Sequence, residues 1–364
     1  MKVILLLPRQ ESRYSIFFET FSNLRSALSS LTIDCRIVEV GIAEGAAFPY
    51  ESVERIAEED LGAFLRANFS EDTYFVAVDG HALMRRLYRL GSVRNLLIWV
   101  HYLYGMKFIF DAYRRTDRML PGQSMEVFAE RYAGLVPNSA AIQLSRFYWR
   151  TLQRHPVVAQ SLWTELLLER YFSVPTLGTL LIPVDPQAYD VDLTLPRAGV
   201  MVFLGDRRDT NLTVLHSTLS ALGKKLTNPI DYFGEEESGS IFTGKFGIEM
   251  NYLGKIQRRD LCQRLSQHVM TIAPVYNGNF EMVPVESLLC GTPVISFPQP
   301  FMEVTGESGM VACIWNRRDV IERATEWPDL QLQVRTEMRE TILEKMSSLA
   351  VARKLVRYLT LMRE

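Results

Sequence analysis

The sequence predicts an α/β protein built from two Rossmann-like domains, on three observations. Short apolar runs alternate with amphipathic stretches through both halves of the chain, the pattern of βαβ units and parallel sheets. A stretch at 185–198 with prolines and no hydrophobic period separates the halves. The 364 residues also exceed a single core, since cores rarely grow beyond ~250–300 residues.

The elements follow in order. Val3–Leu7 is an apolar run halted by Pro8 and Arg9, too short for a signal peptide, and reads as a first strand. A helical stretch near Ser15–Leu31 leads to strands at Cys35–Val40 and Tyr74–Val78. Leu96–Val100 and Gly134–Pro137 continue the series, and Leu180–Val184 closes the first domain, 1–184. After the linker 185–198 the second domain, 199–335, restarts with a strand at Gly199–Leu204 that ends in Gly205. A helix near Leu212–Leu222 and a strand at Ile230–Phe233 come next, while 235–247, rich in glycine, serine and glutamate, is expected as a loop. Asn251–Gly254 then leads to a helical stretch, Arg258–Gln267. Val269–Ala273 and Val294–Phe297 are buried strands flanking a short amphipathic helix that Pro284 opens and Gly291 ends. A helix near Arg318–Glu326 precedes a helical tail, Leu330–Arg363, with few breakers, whose part 336–364 is set apart from the second domain.

Composition narrows the class. Hydrophobic residues at 48% and charged residues at 23% fit a globular protein, and a net charge of −2 does not mark the whole molecule as a polyanion binder. Cys35, Cys262, Cys290 and Cys313 lie in apolar surroundings without Cys-x-x-Cys spacing, as expected of buried thiols in a reducing compartment. The longest apolar run, Leu96–Phe110, contains His101 and Lys107 and is shorter than the ~20 residues that span a bilayer. A cytoplasmic protein is expected. The dinucleotide and P-loop glycine fingerprints are absent after the strands that matter, which argues against dehydrogenases and ATPases.

Residues 274–298 carry most of the functional signal. Between the two buried strands the chain reads Pro-Val-Tyr-Asn-Gly-Asn-Phe-Glu-Met-Val-Pro-Val-Glu-Ser-Leu-Leu-Cys-Gly-Thr-Pro-Val, so a helix starts at the carboxyl end of a parallel strand. Its free N–H groups then face the crevice where open α/β sheets bind ligands. Glu286, expected in the first helical turn, can cap the helix or accept two hydrogen bonds from a ribose diol.

This segment resembles the donor-sugar motif of nucleotide-sugar glycosyltransferases of the GT-B fold, above all the large retaining family, whose pattern runs Glu-Gly-Phe-Gly, four residues, Glu, then Gly-Thr-Pro-Val. Phe280, Pro284, Glu286, Gly291, Thr292, Pro293 and Val294 match in place, whereas Gly278 stands at the first glutamate and Asn279 and Glu281 replace the two glycines. The resemblance implies two Rossmann-like domains facing across a cleft, with a C-terminal helix crossing back to the first. It implies that Glu286 holds the ribose of the donor, with Gly278, Asn279, Phe280, Glu281, Met282 and Val283 along the donor loop. It implies no cofactor beyond the nucleotide sugar itself, a UDP-sugar first. Weaker echoes are Gly205, the Val-His pair at 100–101, Asn-Ser at 138–139 and Ile182-Pro183.

The leaving diphosphate gains charge as the glycosidic bond breaks, which fixed cations and helix N-termini stabilise without a metal. In the resembled family an arginine follows the glycine at the Gly205 position. Here Asp206 takes that place, so Arg207 or Arg208 is the candidate, with Lys255 as a further one. Asp190-Val191-Asp192 spells a metal-binding Asp-x-Asp, but it falls in the linker away from any strand end, and no metal is expected. His101 follows the Leu96–Val100 strand and Asp79 the Tyr74–Val78 strand, making them candidate catalytic groups on the acceptor side.

Residues 81–155 hold twelve basic and four acidic side chains with interleaved aromatics, a surface suited to peripheral contact with the inner face of a membrane, a lipid phosphate or nucleic acid. Its arginines could instead pair with the acidic 39–79 segment, where ten carboxylates meet two arginines. The leading expectation is therefore transfer of a sugar to a glycan or lipid-linked saccharide acceptor. The rivals are a phage-type enzyme acting on hydroxymethylated bases of duplex DNA, since such enzymes share the fold, and a degenerate sugar-nucleotide-binding protein, motivated by Gly278 and Asp206.

Overall fold

The computed structural model describes residues 1–8, 16–41, 53–101, 147–205, 210–223, 229–254, 256–275, 282–297, 302–305, 309–314 and 316–363. The chain divides into two compact units, Met1–Val184 with Ser348–Glu364, and Asp185–Ser347.

The first unit contains β1 (Lys2–Pro8), α1 (Ile16–Ser30), β2 (Asp34–Val40), β3 (Glu54–Ile56), α2 (Leu61–Asn68), β4 (Thr73–Val78), α3 (His81–Leu90), β5 (Leu96–Val100), β6 (Val157–Ala159) and α4 (Leu162–Phe172). All pairings are parallel in the order β3-β2-β1-β4-β5-β6. That is the doubly wound order, whose direction reverses between β1 and β4. Both β4 and β5 are buried along their whole length, as central parallel strands covered on two faces must be.

Three details differ from expectation. Leu180–Val184 is buried but forms no strand; the chain there makes single bridges at Thr179, to Ala159, and at Val184. The sixth strand is β6, whose three residues after Pro156 are too few for a hydrophobic period. The edge strand β3, Glu-Arg-Ile, is too polar to stand out. The expected strand at 134–137 lies outside the described residues.

The second unit opens with a 3-10 turn, Pro186–Tyr189, followed by β7 (Val200–Leu204), α5 (Leu212–Leu222), β8 (Ile230–Gly234), α6 (Glu236–Phe246), β9 (Asn251–Tyr252), α7 (Arg258–Ser266), β10 (Met270–Ala273), α8 (Met282–Leu289), β11 (Val294–Ser296), α9 (Met302–Thr305), β12 (Val311–Cys313), α10 (Arg317–Glu326) and α11 (Leu332–Met346). Its sheet, β12-β11-β10-β7-β8-β9, is again all parallel and repeats the same winding, with the reversal between β7 and β10.

The expected loop at 235–247 is a helix, α6. Glu236 and Glu237 favour its positive N-terminus, and Gly247 closes it in the left-handed conformation with its N–H on Thr243 O. Gly239 looks like a breaker, yet a Cβ there would lie 2.2 Å from the Tyr232 ring, so the glycine is a packing requirement.

The C-terminal tail is not continuous. Extended Ser347 ends α11, and α12 (Ser348–Leu361) begins with its N–H and Oγ both donating to Val184 O at 3.0 Å. Val351, Ala352, Leu355 and Leu359 of α12 pack with Phe21, Leu24 and Leu28 of α1 over Leu5, Val76 and Trp99. The final helix therefore returns to the first sheet. Of the cysteines, Cys35, Cys262 and Cys290 are buried and all four are free, with burial pushing the Cys35 thiol up to about 12. No helix among the described residues is long and apolar enough to cross a membrane.

Candidate active site

The strand-helix-strand motif is built, but α8 begins at Met282, earlier than expected, and it is buried nearly all round rather than amphipathic. Pro284 is its third residue, still inside the first turn, where the missing N–H removes no intrahelical bond. Glu286 consequently lies in the second turn and is not a helix cap. It is only 3% exposed. Its Oε1 accepts from the Tyr189 hydroxyl at 3.1 Å and faces Arg258 Nε at 3.2 Å. Tyr189, from the 3-10 turn that opens the unit, is 1% exposed, and burial followed by the Glu286 charge raises its phenol well above the usual range. It remains a protonated donor.

The Gly-Thr-Pro half of the motif is structural. Gly291 is left-handed at φ 69°, its N–H meets Leu288 O at 2.9 Å, and Thr292 N–H meets Ser287 O at 2.9 Å, a Schellman closure of α8. The Thr292 hydroxyl donates to Leu265 O at 2.6 Å in the last turn of α7. Buried Arg335 of α11 then donates to Gly291 O (2.7 Å), Leu193 O (2.5 Å) and Ser266 O (3.4 Å). A cation thus sits against the negative ends of two helices, while burial lowers its pKa to about 10.

Gly205 directly follows β7, beside the reversal point. A Cβ there would lie 3.2 Å from Val275, and Thr210 Oγ1 donates to Gly205 O at 3.0 Å. Asn211 N–H donates to Pro274 O at 2.8 Å, and its side chain caps α5 by accepting from Val214 N–H at 3.0 Å. The segments after β7 and β10 are thereby tied together. Met282 and Val283 are the first residues of α8. Arg207, Arg208, Lys255, Gly278, Asn279, Phe280 and Glu281 lie outside the described residues.

In the first unit Asp79 follows β4 at the corresponding reversal. It is fully buried, and its oxygens accept from His101 N–H at 2.5 Å and the Tyr148 hydroxyl at 2.7 Å. In that position it braces the carboxyl ends of β4 and β5. His101 is 2% exposed, with ring centroids 4.5 Å from Trp99 and 5.9 Å from Phe21. Burial lowers its pKa to about 3, so at neutral pH the imidazole is uncharged, suited to hydrogen bonding and not to holding a phosphate by charge.

Part of the basic aromatic region is described. Arg150 donates to the Tyr88 hydroxyl at 3.3 Å, the Arg154 guanidinium lies 4.9 Å from the Tyr88 ring centre, and Phe147 meets that ring at 4.8 Å. Two arginines do turn to the acidic segment, Arg85 to Glu58 at 3.7 Å and Arg86 to Glu59 O at 2.6 Å.

No protein-family model and no curated protein matches the chain. Solved structures do match over its length. Sucrose-phosphate synthase from Thermosynechococcus elongatus superposes with a TM-score of 0.72 at 14% identity, covering 100% of this chain and 99% of its own. A point mutant of S. aureus TarM, solved with Fondaparinux, alpha-GlcNAc-glycerol and UDP, gives 0.68 at 8% identity over 98% of this chain and 99% of its own. The lipopolysaccharide outer core galactosyltransferase WaaB gives 0.67 at 10% identity over 99% of each chain. The chain has the GT-B fold. Among these neighbours the duplex-DNA alternative finds no support.

Within this GT-B chain, three residues near the motif stand apart from the sequence reading. Tyr189 and Arg335 carry no local signal, the first lying in a segment that reads as linker and the second in a helical tail. Arg258 is legible only as the start of α7. The Asp-x-Asp carboxylates are engaged locally, Asp190 with Arg339 at 3.5 Å and Asp192 with Thr194 N–H at 2.8 Å.

Proposed function

We propose that this GT-B protein is a glycosyltransferase that moves a sugar from a nucleoside diphosphate sugar, UDP-sugar first, to an acceptor hydroxyl of a glycan or lipid-linked saccharide. The observation that carries the reading is the buried Glu286 carboxylate on α8, just after the reversal point of the second sheet, with one oxygen fixed by Tyr189 and Arg258. Open α/β sheets bind nucleotides at such points, and a carboxylate there suits a ribose diol. UDP in the TarM complex and the galactosyl transfer named for WaaB favour the donor and acceptor classes.

In this reading Arg207 or Arg208, with Lys255, meets the diphosphate, and the first N–H groups of α8 add the positive end of a helix. Neutral His101 serves the acceptor side by hydrogen bonding, and Asp79 fixes its backbone. The Tyr88 patch offers cations and an aromatic surface to an anionic lipid head at a membrane. No metal or cofactor is needed.

Calorimetric titration with UDP, GDP and ADP, followed by assay of nucleoside diphosphate release from the matching sugars, tests the proposal. One nucleotide should bind, and slow donor hydrolysis should occur without acceptor and persist in chelator. A folded protein that binds none of the three and releases none overturns it. Complete loss in chelator with rescue by manganese overturns the metal-free mechanism.

A further inference from the structure

The geometry points to Tyr189 as a positioning residue that sets ribose specificity through Glu286, an inference resting on the donor-site reading above. An ionised carboxylate has about four lone-pair sites, two on each oxygen. The Tyr189 hydroxyl at 3.1 Å and Arg258 Nε at 3.2 Å both fall on Oε1. The hydroxyl donates to that oxygen and the guanidinium pairs with it by charge, while no described residue hydrogen-bonds Oε2, whose two lone pairs are the number a cis-diol requires. With its phenol held protonated by burial, Tyr189 always donates, so the carboxylate is locked in one rotation before any ligand arrives. The lock comes from the 3-10 turn, an element separate in sequence from both helices of the pair, and Tyr189 is itself 1% exposed. It does not touch the donor and acts only by aiming Oε2.

Such a residue has a signature that general scaffolding lacks. Tyr189→Phe keeps the buried ring and removes only the hydroxyl, so the carboxylate can rotate about its remaining contact. Affinity for the ribonucleotide should then fall by roughly tenfold, about 1.4 kcal/mol, whereas affinity for the 2′-deoxy analogue, which has already lost one bond to the carboxylate, should change by less than about twofold.

The experiment titrates wild type and Tyr189→Phe with UDP, GDP and ADP and with their 2′-deoxy counterparts, and repeats the substitution in a Glu286→Gln background. Expected is a wild-type preference for the ribose form that Tyr189→Phe largely abolishes, with no further effect of Tyr189→Phe once Glu286 is changed. Equal weakening of both nucleotides, no weakening of either, or a full effect in the Glu286→Gln background overturns the inference while leaving the donor site standing. Wild-type protein that binds neither form overturns the donor-site reading and the inference with it. Should Tyr189→Phe misfold, Arg258→Lys, which keeps the charge and loses the fixed Nε, must show the same selective loss for the inference to hold.

Discussion

Glu286→Gln is the most informative single change, because the amide keeps an oxygen for Tyr189 and Arg258 while removing the charge. The structure makes Glu286→Ala a poor choice. Glu286 is 3% exposed and paired with Arg258, whose side chain is only 20% exposed, and stripping one member of such a buried pair costs about 3–5 kcal/mol in stability. That outweighs the about 1 kcal/mol of a lost cap and would confuse binding with folding. With glutamine, two ribose hydroxyls lose a charged acceptor. Hydrogen bonds to charged groups contribute roughly 1.5–3 kcal/mol, so nucleoside diphosphate affinity should fall about ten- to a hundredfold. Calorimetry on protein checked for folding by circular dichroism reads this directly. Unchanged affinity in a folded Glu286→Gln protein would make the carboxylate a structural partner of Arg258 and remove the principal support for a donor site.

Further outcomes follow from the same contacts. Arg335→Met leaves the Gly291, Leu193 and Ser266 carbonyls without their donor and should destabilise the second unit by about 2–5 kcal/mol, read as a lower urea midpoint; a shift under about 0.5 kcal/mol would show that water replaces the guanidinium. Gly239→Ala forces a methyl into the Tyr232 ring and should cost about 1–3 kcal/mol, measured the same way. His101 binds no proton in the folded state until about pH 3, whereas an unfolded histidine binds one near 6.5, so stability conferred by the neutral ring is complete above 6.5 and is lost as pH falls toward 3. At about 1.36 kcal/mol per pH unit the ceiling is about 5 kcal/mol, and His101→Gln should flatten the acid limb of a thermal-melting profile; identical limbs would refute it.

How much of this was legible depends on whether a feature is local. The strands β1, β4, β5, β7 and β10 are continuous apolar runs because both faces of a parallel sheet are covered, and such runs announce themselves in any sequence. The winding then places the segments after β7 and β10 side by side, the neighbourhood that the resemblance implied for Gly205 and the 274–286 segment. The edge strands β3, β6 and β12 escaped, since they have three residues each and no period to read. Helix α6 escaped for another reason: Gly239 is set by the Tyr232 ring from β8, a tertiary demand that local propensity registers only as a breaker. Glu286 sits one turn later in its helix than the sequence suggests, because Pro284 marks a helix start without fixing its first residue: proline is tolerated throughout the first turn.

The site itself divides along the same line. The Gly-Thr-Pro turn and Glu286 form one contiguous string, and contiguity made them visible. What fixes them comes from elsewhere in the chain, Tyr189 97 residues before Glu286 and Arg335 44 residues after Gly291. A segment that reads as solvated linker in fact supplies a fully buried tyrosine to the carboxylate. The aim of a buried carboxylate is set by whichever donors the fold brings to it, and donors brought from afar leave no spacing in the sequence. The same reasoning explains why Asp79 reads as a catalytic candidate at a strand end yet is committed to the His101 backbone and the Tyr148 hydroxyl: strand ends at a reversal point are where ligands bind, but they are also where two loops must be held together, and a carboxylate can do either.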